Sequence, residues 1–238
     1  NPYPRWERLR IPLRGVSISE HCDEKNLRLH SRGIKEVTDP AILIAGCGTG
    51  QHSIESASYF SNCHVTAIDL SRTSLAYAQR KTNDLDLGNL DYIQADILQL
   101  PEMGRKFDII ESAGVLHHMH QPMAGWKVLT DLLNPGGLMM IALYSELARK
   151  HIVAVREEIA LSNVGTSEAE IRRFRRSLGD PAHQHHRLLT EPLDFYSLSD
   201  LRDLIFHVQE HRFTLPQIQD CLDELGLCLL YTSDAADE

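Results

Sequence analysis

An apolar run, Ile42-Leu-Ile-Ala45, leads without interruption into Gly46-Cys-Gly48-Thr-Gly50 and then into a helical pattern that starts at Gln51. Glycine is needed where a backbone turns sharply or where a ligand comes too close for a Cβ. A strand, a glycine loop and a helix in that order therefore make a candidate ligand cradle. Taken alone, the pattern is only a tight strand-to-helix turn; two carboxylates give it chemical content. Asp69 ends the next apolar run, 19 residues after Gly50, where a carboxylate can accept both hydroxyls of a ribose. Asp96 follows the third run in Gln94-Ala-Asp96-Ile97, where it can accept from an adenine amino group. The loop and both acids fall at the carboxyl ends of neighbouring strands, the edge at which open α/β sheets bind ligands.

The glycine spacing separates two cofactors that share ribose and adenine. A dinucleotide site uses Gly-x-Gly-x-x-Gly, which seats a pyrophosphate on the helix N-terminus. Here the third glycine comes one residue early, and Gln51 stands where that pattern has glycine. The observed spacing suits a ligand with ribose and adenine but no pyrophosphate, which points to S-adenosylmethionine. An NAD-dependent oxidoreductase is the less favoured alternative.

The elements that position these residues are legible from periodicity. Ala41–Ala45, His64–Ile68, Leu90–Gln94, Phe107–Glu111 and Leu138–Leu143 read as strands, with helices at about 51–60, 71–82 and 121–133 between them. Ser71 is the expected N-cap of the second helix, and Asn134-Pro-Gly-Gly137 the expected stop of the last one. Near-continuous apolar strands alternating with helices predict an α/β fold, a Rossmann-like doubly wound and mostly parallel sheet covered on both faces. Residues 1–40, with Pro2, Pro4, Pro12 and Pro40, read as an irregular lead-in with one short helix. Residues 145–227 read as successive helices. Ser145 caps the first, and Ser167 with Glu170 makes a capping box ahead of Ile171, Phe174 and Leu178. Ser197 with Asp200 precedes Leu201, Leu204, Ile205 and Val208, and Thr214-Leu-Pro216 opens a last helix that Gly226 closes. The expected organisation is a lead-in at 1–40, a cofactor-binding domain at 41–144, and a helical cap at 145–227 that closes over the cofactor and selects the acceptor. Residues 228–238 read as an adaptor-derived tail, which makes the chain a fragment with its last strands truncated and its stability reduced.

The chain resembles a class I S-adenosylmethionine-dependent methyltransferase. The resemblance rests on Ile42–Gly50, Ala67-Ile-Asp69-Leu-Ser71, Gln94-Ala-Asp96-Ile97, Phe107–Met119 and Leu133-Asn-Pro-Gly-Gly137, in the family's order over residues 40–145. Within the family it is most similar to bacterial members of unassigned substrate, some with an N-terminal helical-repeat region. These share Asn1-Pro-Tyr-Pro-Arg-Trp6 and Phe206-His-Val-Gln-Glu-His-Arg-Phe-Thr214. The resemblance implies that Gly46, Gly48 and Gly50 flank the methionyl part, that Asp69 holds the ribose and that Asp96 and Ile97 contact adenine. Cys47, Leu70 and Ser112 complete the candidate cofactor set. One departure stands out: many members carry an acid two residues before the first glycine, and here that residue is Ile44. Its task toward the cofactor's amino group must fall to another group or to water.

The catalytic candidates are His117 and His118, in Gly114-Val-Leu-His-His-Met-His120 after the fourth strand. An imidazole there could take a proton from an attacking nucleophile. The plainer reading is that these histidines hold the loop, since methyl transfer from a sulfonium depends on in-line positioning more than on a base. Glu111 and Tyr144 are further candidates for the same role. No metal ligation is expected. His183-Gln-His185-His186 has no acid or cysteine at helical spacing, and His207 and His211, four apart, read as helix surface or pocket lining. Arg172-Arg-Phe174-Arg-Arg176 reads as a solvated helix face anchored by Phe174.

Composition sets the outer bounds. The formal net charge is −9 over 238 residues, which disfavours nucleic acid as a partner and favours a small-molecule or protein methyl acceptor. No apolar stretch approaches the ~20 residues of a membrane span. The five cysteines contain no Cys-x-x-Cys pair, so neither a disulfide framework nor a zinc site is expected, and free thiols fit a reducing cytoplasm. The alternative function is a non-catalytic S-adenosylmethionine-binding or scaffold module. The acceptor and the oligomeric state are not set by the sequence.

Overall fold

A computed structural model of the chain describes residues 6, 9, 11, 15–29, 33–178, 184–190 and 195–230. Five strands, β1 (Ala41–Ala45), β2 (His64–Asp69), β3 (Leu90–Gln94), β4 (Phe107–Ala113) and β5 (Leu133–Ala142), form one parallel sheet in the order β3-β2-β1-β4-β5. β1 lies at its centre, with Ile42 opposite Val65 on one side and Ile109 on the other. Ile42, Leu43, Ile44 and Ala45 are all buried, which explains why β1 is apolar at every position instead of at alternate ones. Because the strand order reverses at β1, the loops that follow β1 and β4 diverge and leave the crevice where such sheets take ligands.

Helices α2 (Gln51–Tyr59), α3 (Arg72–Asp84) and α4 (Pro122–Leu132) connect the strands. The Ser71 hydroxyl caps α3 by accepting from the Ser74 N–H at 3.2 Å. In α2 the buried positions are Ser53, Ile54, Ser56 and Ala57; three of them are small, which lets the helix sit close on the sheet. Ahead of β1, α1 (Ile18–Glu24) starts in a capping box between Ser17 and Glu20 and buries Ile18 and Cys22. The lead-in is sewn to the end of α2, where the Val16 N–H donates to the Tyr59 carbonyl at 2.7 Å and the Ser61 N–H to the Val16 carbonyl at 2.8 Å. The sequence predicts that Asn134–Gly137 stops α4 ahead of the strand; the structure places this run inside β5. Phe107 pairs with Leu133 and Ile109 with Leu138, so the run is a bulge in the pairing. Gly136 at φ +78° makes the turn, and the Asn134 amide donates to the Asp108 carboxylate at 2.8 Å.

The chain divides after Leu143. One compact unit holds the sheet and takes the chain back from Pro216 onward; the other is Tyr144–Leu215. In the second unit α5 (Lys150–Leu161), α6 (Glu168–Ser177), α7 (Gln184–Thr190) and α8 (Leu198–Phe206) share a core of Val155, Ile171, Phe174, Leu189, Leu201 and Ile205. The Ser167–Glu170 capping box forms as read from the sequence. Phe174 anchors α6 while Arg172, Arg173 and Arg176 stay exposed. Glu210 is buried among Arg149, Arg156 and Arg212. Burial alone would raise its carboxyl, but the Arg149 bond and the charges of Arg149, Arg156 and Arg212 together outweigh it and hold the group below the usual carboxylate range.

Two expectations fail here. α8 stops at Phe206, Val208 is 96% exposed, and His207 and His211 lie beyond the helix instead of on one of its faces. The final helix, α9 (Leu215–Leu225), groups with the sheet unit and not with the other helices. Ile218, Leu222 and Leu225 line a cleft of about 770 Å³ shared with Trp126, Leu138 and Ile141. Periodicity reveals that α9 has an apolar face but not which surface covers it. Of the candidate cofactor residues, none lines this cleft. His183, the run from Asn1 to Arg5 and the tail from Tyr231 lie outside the described residues. Among the described residues no helix is long and apolar enough to cross a membrane.

Candidate cofactor site

The loop after β1 is shaped by three glycines at positive φ, Gly46 (+84°), Gly48 (+54°) and Gly50 (+89°). The last of these ends the loop as the N-cap of α2. Two of them also leave no room for a side chain. A Cβ on Gly46 would stand 2.2 Å from Val115 Cγ2, and one on Gly50 would stand 2.5 Å from Ala78 Cβ. The glycines let the loops after β1 and β4, and helices α2 and α3, close on one another. Cys47 is buried between them; burial and the neighbouring Asp69 charge push its thiol far up. It is a packing group and not a nucleophile.

Asp69, at the end of β2, reaches across to this loop. One carboxylate oxygen accepts from the Gly48 N–H at 2.8 Å and the other from the Ser71 N–H at 2.8 Å. An ionised carboxylate offers about four acceptor sites, so each oxygen keeps one for a ligand hydroxyl. Leu70, next along, is 66% exposed, an apolar surface beside a carboxylate. Asp96 lies two residues beyond Gln94, the register partner of Asp69, and accepts from the Leu98 N–H at 2.9 Å. Ile97 is buried, whereas Leu98 beside it is exposed. Ser112 is fully buried and donates its hydroxyl to the Ala45 carbonyl at 2.9 Å, which ties β4 to β1. Gly46, Cys47, Gly48, Gly50, Asp69, Leu70, Asp96 and Ile97 thus lie on the carboxyl-terminal edge of three adjacent strands, β1, β2 and β3, with Ser112 near the end of the neighbouring β4.

His117 and His118 fall in a short turn after β4, their rings in edge-to-face contact with centroids 4.3 Å apart. His117 is buried and His118 partly exposed. His185 and His186 lie on α7 and are described below.

Several contacts of the site are invisible in the sequence pattern, including the true partners of Glu111, which the sequence offered only as a candidate base. Trp6, from the lead-in, donates its indole N–H to the Thr49 carbonyl at 2.9 Å, and the Tyr77 hydroxyl donates to the Trp6 carbonyl. The Tyr92 hydroxyl bonds both Ser53 and Thr82, bracing α2 against α3 behind Gly50. Most telling is Glu111 on β4, the register partner of Ile44. Its carboxylate accepts from Ser56 at 2.7 Å and pairs with His52 Nε2 at 2.9 Å, both on α2. The carboxylate absent at position 44 is therefore present one strand away on the same face. A long-range pair of this kind leaves no trace in local spacing.

Burial alone would raise the Glu111 carboxyl, but the His52 and Ser56 bonds hold it below its ordinary value of 4.5. Burial alone would lower His52, but Glu111 lifts it above its ordinary 6.5. The Glu111 contribution is present above pH 4.5 and lost as pH falls through its depressed folded value. The His52 contribution is present below pH 6.5 and lost as pH rises through its raised folded value. The stability difference between the parent and His52→Gln is therefore expected to be greatest between about pH 4.5 and 6.5 and to shrink as pH rises above 6.5 through the raised His52 value. Thermal melts across that range check this; a constant difference would show that the pair carries no charge-dependent stability.

A parallel sheet with a glycine loop after β1 and carboxylates after β2 and β3 defines an α/β domain built for a nucleoside cofactor without a pyrophosphate. Residues 42–137 match a family model described as a methyltransferase domain. An uncharacterized protein of Synechococcus sp. is 31% identical over 82% of this chain and 49% of its own length. The ubiquinone biosynthesis O-methyltransferase of Parvibaculum lavamentivorans is 32% identical over 53% of this chain and 49% of its own. Among solved structures, PKMT2 from Rickettsia typhi has a TM-score of 0.71 at 19% identity, over 94% of this chain and 44% of that one. The same protein with AdoHcy has a TM-score of 0.61 at 20% identity, over 78% and 38%. Residues 42–137 therefore form a methyltransferase domain of the class I S-adenosylmethionine-dependent type, and S-adenosylmethionine is the cofactor of that domain. The chain spans about half the length of the two curated relatives named above.

Proposed function

We propose that this chain binds S-adenosylmethionine along the loop edge of β1, β2 and β3 and transfers its methyl group to a small-molecule or protein acceptor. The observation that carries this reading is the Asp69 carboxylate, fixed by Gly48 and Ser71 with acceptor capacity left over, beside exposed Leu70 and next to Asp96. Two acids for hydroxyl and amino groups, flanked by apolar side chains, fit a ribose and an adenine. S-adenosylmethionine supplies an electrophilic methyl group on a sulfonium. In this reading Asp69 orients the ribose, Asp96 receives the adenine amino group, and Glu111, held ionised by His52, answers the cofactor's ammonium in place of an acid at position 44. Of the two histidines only His118 has the exposure to meet an acceptor; buried His117 holds the turn.

The acceptor class is supported by the net charge of −9, which disfavours nucleic acid, and by a relative named for ubiquinone biosynthesis. Free thiols at Cys22, Cys47, Cys63 and Cys221 support a reducing, cytoplasmic setting. The test is calorimetric titration with S-adenosylhomocysteine and, in parallel, NAD. Binding of the first and not of the second is expected. Preference for NAD would overturn the cofactor assignment, and binding without turnover on any phenol, amine, carboxylate or protein acceptor would favour a non-catalytic module.

A further inference from the structure

We propose that Glu158, His185 and His186 form a binding site for a divalent transition-metal ion of the zinc type, within the Tyr144–Leu215 unit and independent of methyl transfer. Glu158 lies on α5, and the two histidines are consecutive on α7. His186 Nε2 stands 2.7 Å from Glu158 Oε2, and His185 Nε2 stands 3.6 Å from the same oxygen. One ligand atom from each residue falls within 4.8 Å of the other two.

Consecutive residues on a helix project about 100° apart, so adjacent histidines do not ordinarily address one point. Here the rings meet edge to face, with centroids 4.6 Å apart, and both Nε2 atoms reach one carboxylate oxygen. A simple ion pair between α5 and α7 needs one of these histidines; convergence of both is what a metal site needs. Zinc with bonds of 2.0–2.1 Å to nitrogen and oxygen holds tetrahedral donors about 3.3 Å apart. The two histidine-to-carboxylate separations bracket that value, and the histidine donors, within 4.8 Å of each other, close on an ion by side-chain rotation. Two imidazoles and a carboxylate suit zinc or its neighbours in the transition series and are a poor match for magnesium or calcium, which take oxygen donors.

The site is also built for access and fixity. The His186 side chain is 5% exposed, whereas those of His185 and Glu158 are 32% and 36% exposed. One ligand is locked by packing while the other two face a path from solvent. Three protein donors leave a fourth position for water. The effect of occupancy would be to clamp α7, a helix of seven residues too short to be stable alone, onto α5. Sequence spacing concealed the site because Glu158 is 28 residues from His186 and on another helix.

The test is calorimetric titration of the chelator-treated full chain with zinc chloride, with magnesium chloride as control and the visible spectrum of the cobalt(II) form as a geometric readout. One zinc per chain, no magnesium heat and a four-coordinate cobalt spectrum are expected. Glu158→Gln and His185→Ala should each weaken zinc binding at least about ten-fold, since loss of even an outer partner of a metal ligand costs 10- to 100-fold. Both side chains are partly exposed, so both variants should fold, which circular dichroism verifies. Absence of zinc uptake by the folded chain, or losses below ten-fold in both variants, would overturn the proposal and assign any binding to other histidines.

Discussion

Replacing Gly50 by alanine is expected to destabilise the sheet unit by about 3–5 kcal/mol and to abolish measurable S-adenosylhomocysteine binding. Two costs add. The residue sits at φ +89°, where a Cβ-bearing residue is strained by roughly 1–3 kcal/mol. The new Cβ would also stand 2.5 Å from Ala78 Cβ and 3.0 Å from Ala78 Cα. The latter is backbone of α3 and cannot rotate away, and overpacking of this kind costs typically ~1–3 kcal/mol. Relief requires α2 and α3 to part, which would pull Gly48 from Asp69 and open the cradle. Gly104 provides the control: it has φ +61° and nothing within 4 Å of an added Cβ, so Gly104→Ala should cost only about 1 kcal/mol. Thermal melts should fall by roughly 10 °C for the first variant and by a few degrees for the second. Equal shifts would mean that the close approach to α3 does not matter.

Asp69→Ala should weaken S-adenosylhomocysteine binding ten- to hundred-fold. Hydrogen bonds to a charged acceptor are worth ~1.5–3 kcal/mol, and 1.4 kcal/mol is a factor of ten. The substitution removes the carboxylate we assign to the ribose and also strips the Gly48 and Ser71 N–H groups of their shared partner, so the melting temperature should fall too. Asp69→Asn separates the two roles. Its single amide oxygen can serve one backbone donor, while its NH₂ faces the other, so it should recover part of the stability but little of the affinity. Unchanged affinity in the alanine variant alongside a lowered melting temperature would confine Asp69 to loop support and remove it from the cofactor site.

The sequence by itself determined the fold class and the linear order of the site. A strand buried on both faces must be apolar throughout, and glycines must fall where φ is positive, so β1, its loop and the strand-end acids Asp69 and Asp96 are written in local composition. The capping box at Ser167 is local for the same reason: it joins residues three apart. Less local features came out differently or not at all. The Asn134–Gly137 run has the composition of a helix stop and also of a bulge, and only the pairing of β4 with β5 decides between them. Val208 keeps helical spacing with Ile205, yet the helix has already ended at Phe206. Amphipathicity shows that α9 has a face to bury, but its partner is a matter of topology, and it turned out to be the sheet unit. The tertiary structure alone brought Glu111 beside His52, Trp6 beneath Thr49 and Glu158 between His185 and His186. These contacts join residues far apart in the chain, and their energies depend on distances that no spacing along the sequence encodes.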